Sequence, residues 1–156
     1  MSTILVTGAN GQLGNEMRNM SLLDDANKYI FTDVRELDIT DLAAVQNFLS
    51  ENAVDFIVNC AAYTAVDKAE SEIELCRKIN AFAVENLAKA SASVGAKMIH
   101  VSTDYVYSGT HYMPYVETDA VAPASVYGVT KLEGEQLLLA ANPNSVILRT
   151  SWLYSP

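Results

Sequence analysis

Residues 3–14 read Thr3-Ile-Leu-Val-Thr-Gly8-Ala-Asn-Gly11-Gln-Leu-Gly14, and this stretch decides the fold. A short apolar, β-branched run passes directly into glycines spaced G-x-x-G-x-x-G, and residues 11–20 then return to a helical pattern. Strand, glycine turn and helix in immediate succession form a cradle for a pyrophosphate. The missing Cβ atoms let backbone N–H groups approach the anion, and the helix N-terminus supplies the positive end of a dipole. Spacing alone is a weak signal; the strand before it and the helix after it make Gly8, Gly11 and Gly14 a dinucleotide-binding loop.

Four further runs resemble residues 3–7: 29–33 (YIFTD), 55–59 (DFIVN), 97–101 (KMIHV) and 145–150 (SVILRT). Each is apolar without alternation, as strands buried on both faces are. Helical stretches separate them. One opens at Asp41 behind Thr40 as N-cap and continues through Leu42, Val45 and Leu49. A longer one carries Leu75, Ile79, Phe82, Ala83, Leu87 and Ala90 at three-and-four spacing and stops at Gly95. Regular alternation of strand and helix predicts an α/β fold, a doubly wound, Rossmann-like parallel sheet with helices on both faces. Residues 104–124, rich in tyrosine and without a clean period, form a long connection placed to cover a site at the carboxyl edge of the sheet.

Asp33, about 20 residues beyond the last glycine, stands where an acid accepts hydrogen bonds from the adenine ribose. It favours NADH over NADPH, although Arg35 close behind softens that preference; a capping or surface aspartate is the plainer alternative. Asp38 and Ile39 are placed to border the adenine.

Bulk properties narrow the partners. The 156 residues, half of them apolar, suit one domain, and a net charge of −9 with a pI near 4.5 leaves no basic stripe for nucleic acid or an anionic membrane. Cys60 and Cys76 lack metal-ligand spacing and read as buried free thiols, so no metal is expected. With no leader pattern and no long apolar run, the expected location is cytoplasmic.

The fourth strand ends in Val101-Ser102-Thr103-Asp104, which sets small hydroxyls at the edge facing the cofactor. Tyr127 lies four residues before Lys131, on the same face of one helix. A nearby ammonium is expected to lower the tyrosine pKa from about 10 towards neutrality, with Thr103 bonding the same substrate oxygen. Such a set polarises a carbonyl while a nicotinamide delivers hydride to its carbon. Chance supplies a Tyr–Lys pair easily; the order of glycine loop, acid, hydroxyl and pair is what gives it weight.

That order resembles the extended short-chain dehydrogenase/reductase superfamily. The segments "VNCAAYTAVDKAESE", "VSTDYVYSGT", "PYVETD", "VYGVTKLEGE" and "RTSWLY" are similar to its dTDP-4-dehydrorhamnose reductase branch along the whole chain. The resemblance implies NADPH- or NADH-dependent reduction of the 4-keto group of dTDP-6-deoxy-L-lyxo-4-hexulose to dTDP-L-rhamnose. It implies Tyr127 as proton donor, Lys131 as its modulator and ribose anchor, and Thr103 as hydroxyl partner. Gly11, Gln12 and Leu13 would hold the pyrophosphate, and Ala62, Tyr63 and Thr64 would line the cofactor. Asp104 and Tyr105 would border the nucleotide sugar, with Trp152 near it. Asn80 falls where the superfamily keeps an asparagine that props the active-site backbone, and equally reads as an ordinary polar helix position. Asp67, Lys68 and Glu70 read as a solvated segment apart from their place in the branch signature. His100 is expected in the core and His111 on the surface.

Tyr105 stands where sugar-nucleotide dehydratases carry glutamate, which argues against dehydration; a related epimerase stays open, as does a non-catalytic NADP-binding regulatory subunit. Family members run to roughly twice this length. Residues 1–156 are therefore expected to be the cofactor-binding domain, incomplete at its C-terminal end and lacking the sugar-nucleotide domain. Such a piece is expected to turn over little, and a homodimer contact is a further expectation.

Overall fold

The computed structural model describes residues 1–110 and 112–154; His111 lies outside them. Five parallel strands, β1 (Thr3–Thr7), β2 (Lys28–Thr32), β3 (Phe56–Asn59), β4 (Lys97–Thr103) and β5 (Val146–Thr150), form one sheet in the order β2-β1-β3-β4-β5. The order reverses between β1 and β3, so the crevice beyond the carboxyl ends opens there. Helices α1 (Gln12–Ser21) and α2 (Leu42–Glu51) flank β2 in sequence, and α6 (Val126–Ala141) precedes β5. The segment between β3 and β4 holds α3 (Val66–Ala69), α4 (Ile73–Arg77), a π-helical turn (Lys78–Phe82) and α5 (Ala83–Val94). Right-handed crossovers place α1 on one face and α2, α5 and α6 on the other, where α5 packs between α2 and α6.

The core lies under that second face, with Leu5, Ile57 and Met98 from the sheet meeting Val45, Leu49, Val84, Leu87 and Leu138. Continuous apolar runs predict strands buried on both sides, and the inner strands fit this better than β5. On β5, Ile147 packs on the core while Val146 and Leu148, on the opposite face, are half exposed.

Several boundaries differ from the sequence reading by a residue or two. Asp41, not Thr40, caps α2, accepting from the Ala44 N–H at 3.0 Å. β2 ends at Thr32, which frees Asp33 for the crevice, and β4 runs two residues further, through Thr103. The long helix predicted through Leu75 and Ala90 is broken by the π turn, and Leu75 and Phe82 are nearly half exposed. Gly95 ends α5 in the left-handed conformation that a C-cap requires, at φ 74°.

Candidate functional site

At the sheet reversal a cleft of about 770 Å³ opens between the ends of β1, β2, β3 and β4. Its floor is the glycine loop. Gly8 adopts φ +64°, and a Cβ there would sit 2.6 Å from the Ala61 backbone; one at Gly14 would sit 2.6 Å from the Ala9 Cα. Among the described residues no side chain caps α1, whose N-cap is Gly11. The open helix end and the Cβ-free cradle fit a pyrophosphate.

Asp33 lines the cleft and is tied to the same loop, accepting from the Asn10 N–H at 3.2 Å and the Val34 N–H at 2.8 Å. These two bonds orient the carboxylate without using all of its acceptor sites. Asp38 and Ile39 line the cleft beside it. The Thr40 amide and hydroxyl hold the Asp38 carboxyl below its usual pKa, with a smaller pull from Lys78. Arg35 is exposed outside the lining, so Lys78, unmarked by any motif, is the basic side chain that reaches this end of the cleft.

Ala62 and Thr64 line the middle; Tyr63 does not. The Tyr63 hydroxyl donates to Glu72 at 2.5 Å, and its backbone is clamped by Asn80. Asn80 accepts from the Tyr63 N–H at 2.8 Å and donates to the Tyr63 carbonyl at 3.1 Å and the Thr130 hydroxyl at 3.3 Å. Of its two sequence readings, the prop for loop backbone is therefore the one realised. Glu70 also has a structural task, accepting from the Val126 N–H at the start of α6 at 2.9 Å. Asp67 and Lys68 are solvated.

Thr103, Asp104, Tyr105, Tyr127 and Lys131 converge on the far end of the cleft, with Trp152 exposed at its rim. Ser125 caps α6 by accepting from the Gly128 N–H at 3.1 Å, which starts the helix just ahead of Tyr127. Gly128 lets that turn press against the Tyr105 carbonyl. The Tyr105 ring meets the Tyr127 ring edge-on, centroids 5.6 Å apart.

The electrostatics differ from the sequence expectation. Burial pushes the Tyr127 phenol above its usual pKa, and a hydrogen bond with Thr103 only partly opposes this. Lys131 does not lower it because its ammonium turns inward: Nζ donates to the Val101 carbonyl at 2.7 Å and lies 3.4 Å from His100 Nε2. Burial brings the Lys131 pKa itself down to about 8, against a weaker opposing pull from Glu135. His100 is fully buried, as expected, but it sits directly behind this lysine.

Of the connection 104–124, Asp104 and Tyr105 line the cleft, while its middle packs on itself, Tyr107 stacking on Tyr115 at 4.3 Å. Leu75 and Ile79, which share the apolar stripe of the predicted long helix, instead line the cleft. Their exposure was invisible to a periodicity that cannot tell a core from an apolar pocket wall. Cys60 also borders the cleft, half-buried rather than fully so, and burial pushes its thiol up to about 11; Cys76 is buried, and both are free. Among the described residues no cluster of three or more His, Cys, Asp or Glu could hold a metal, and no helix is long and apolar enough to cross a membrane.

The family profile described as RmlD substrate binding domain matches residues 1–156. A dTDP-4-dehydrorhamnose reductase of Escherichia coli K12 is 46% identical over 97% of this chain and 52% of its own. A crystal structure of such a reductase from Clostridium acetobutylicum superposes with a TM-score of 0.94 at 50% identity, over 97% of this chain and 54% of that one. One from Bacillus anthracis, in complex with NADP, superposes with a TM-score of 0.94 at 41% identity, over 99% and 55%. The chain spans about half the length of the curated relatives it matches, 46% to 52%.

Proposed function

The chain belongs to the RmlD substrate binding domain family, and from that premise we propose that residues 1–156 are the cofactor-binding part of a dTDP-4-dehydrorhamnose reductase. The parent enzyme would use NADPH or NADH to reduce the 4-keto group of dTDP-6-deoxy-L-lyxo-4-hexulose to the hydroxyl of dTDP-L-rhamnose. The observation that carries this reading is one cleft: it joins a Cβ-free pyrophosphate cradle, an acid at the end of β2, and Thr103, Tyr127 and Lys131.

When bound, the nicotinamide supplies the hydride. Gly11, Gln12 and Leu13 would hold the pyrophosphate and Asp33 the ribose hydroxyls, with Ala62 and Thr64 along the cofactor and Tyr63 supporting them through its braced backbone. Tyr127, whose raised pKa keeps the phenol protonated at neutral pH, would donate its proton to the substrate oxygen, guided by Thr103. Lys131 would bond the cofactor ribose and steady the phenolate that remains. Asp104, Tyr105 and Trp152 would border the sugar.

The substrate of the parent would be a nucleotide sugar, and a homodimer is a further part of this reading. Two unpaired thiols fit a cytoplasmic setting. Calorimetric titration of residues 1–156 with NADH and NADPH tests the cofactor reading, with binding and no turnover expected. In the full-length parent, Tyr127→Phe should lower kcat by about 10²- to 10⁴-fold with little change in cofactor affinity. Undiminished turnover would remove Tyr127 from the role.

A further inference from the structure

A buried chain of hydrogen bonds runs beneath the reactive end of the cleft and ends on Lys131. Thr7, Asn59, His100 and Lys131 are each no more than 2% exposed and come from β1, β3, β4 and α6. The Thr7 hydroxyl donates to Asn59 Oδ1 at 2.6 Å, and the Ala61 N–H donates to the same oxygen at 3.1 Å. Asn59 Nδ2 lies 2.9 Å from His100 Nδ1, and His100 Nε2 lies 3.4 Å from Lys131 Nζ.

The polarity of this chain is fixed from its backbone end. An amide N–H can only donate, so the oxygen of Asn59 must face Ala61 and its NH₂ must face His100. His100 Nδ1 then has to accept, which puts the imidazole proton on Nε2, pointing at the lysine. Burial and the neighbouring Lys131 both hold the His100 pKa well below its usual value, so the ring is neutral. A Nε2–H aimed at Nζ meets an ammonium as donor against donor, whereas a neutral amine accepts it.

We infer that Asn59 and His100 form a tautomer lock, in which His100 is a positioning residue that presents Nε2–H to Lys131 and favours its neutral amine in the cofactor-free cleft. The remaining groups around Lys131 are Glu135 and Tyr127 on its own helix, Cys76 on α4, and Asp104 at the end of β4. Glu135 and, more weakly, Cys76 favour the ammonium, as does the Val101 carbonyl, whereas the His100 Nε2–H, a donor aimed at Nζ, opposes it. The lock itself rests on hydrogen bonds alone; its consequence for reduction rests on the function proposed above.

The test reads protonation, not turnover, and so separates the lock from the reductase assignment. The chain has two histidines, His100 and His111, and long-range ¹H–¹⁵N correlation, assigned with His111→Gln, reports the His100 tautomer directly. The lock requires Nε2–H in the cofactor-free protein; Nδ1–H overturns it. The Lys131 midpoint, followed at ¹³Cε, should rise in His100→Leu by at least half a pH unit, about threefold in the acid constant. A histidine that merely fills space predicts no rise, and an unmoved or lowered midpoint overturns the inference. Should His100→Leu fail to fold, the tautomer of the unaltered protein decides alone. Failure of NADPH to bind to the full-length parent while both results hold would sink the reductase reading and leave the lock standing.

Discussion

Lys131 is the side chain on which the site's charge turns. Buried between the Val101 carbonyl and His100, it has a pKa of about 8 in the folded protein against 10.5 in ordinary surroundings. Below pH 8 the fold bears the full cost of an ammonium in an apolar place. Between pH 8 and 10.5 the unfolded chain binds more protons at this position than the folded one, so the Lys131 contribution to stability rises with pH. Cys60 has the opposite sign. Its thiol, raised from 9.0 to about 11, stays protonated in the folded state where the unfolded chain has lost the proton, so its contribution falls across that window. The two trends mask each other in the unaltered protein, and a substitution separates them. Lys131→Met removes only the lysine term, so the variant's stability advantage over the unaltered protein should shrink as pH rises from 7 to 10. Urea unfolding at three pH values measures the gap, and a constant gap would mean that Lys131 is not a depressed ammonium.

At the scale of elements, the π turn between α4 and α5 is what aims Asn80 at the Tyr63 backbone while Cys76 and Thr130 close in behind it. A π turn widens the helix by one residue and is common beside functional sites. Gly134 on α6 is its counterpart, since any Cβ there would strike the Asn80 carbonyl. Gly134→Ala should therefore cost about 1–3 kcal/mol of stability through overpacking, even though alanine is the better helix former. Chemical denaturation checks it, and a neutral or stabilising result would show that the two elements can move apart. Sequence periodicity carries no trace of this contact, because one extra residue per turn leaves the three-and-four spacing of Ile79, Phe82 and Ala83 intact. The strands were legible because burial on both faces leaves runs such as Ile4-Leu5-Val6 with no polar interruption. The glycine loop was legible because its chemistry is local. The chain behind Lys131 was not: Asn59 and His100 are 41 residues apart and meet only when β3 pairs with β4.

For the molecule as a whole, Arg149 is the residue that joins β5, α6 and the tyrosine-rich connection. Its guanidinium bonds both Glu135 carboxylate oxygens, the shortest contact being 2.6 Å, and reaches the Tyr107 hydroxyl at 2.8 Å. Glu135 is nearly fully buried and also accepts from the Ser102 hydroxyl, so the ion pair extends to β4 as well. Glu135 holds the Arg149 pKa above its already high value, so the guanidinium stays charged at every accessible pH. A buried pair of this kind is costly to form and more costly to halve. Arg149→Met should strand the Glu135 carboxylate away from water and cost about 3–5 kcal/mol, whereas an exposed pair such as Lys89–Glu85 contributes at most about 1 kcal/mol. Glu135→Met combined with Arg149→Met removes both charges, and it should recover much of the loss despite the loss of one more interaction. Unfolding free energies of the two single variants and the double one form a closed cycle. A coupling near zero would mean that Arg149 is held by Tyr107 alone. A large coupling would place the anchor of the connection 104–124 in the ion pair behind β5, so that weakening it loosens Asp104 and Tyr105 at the cleft without touching either.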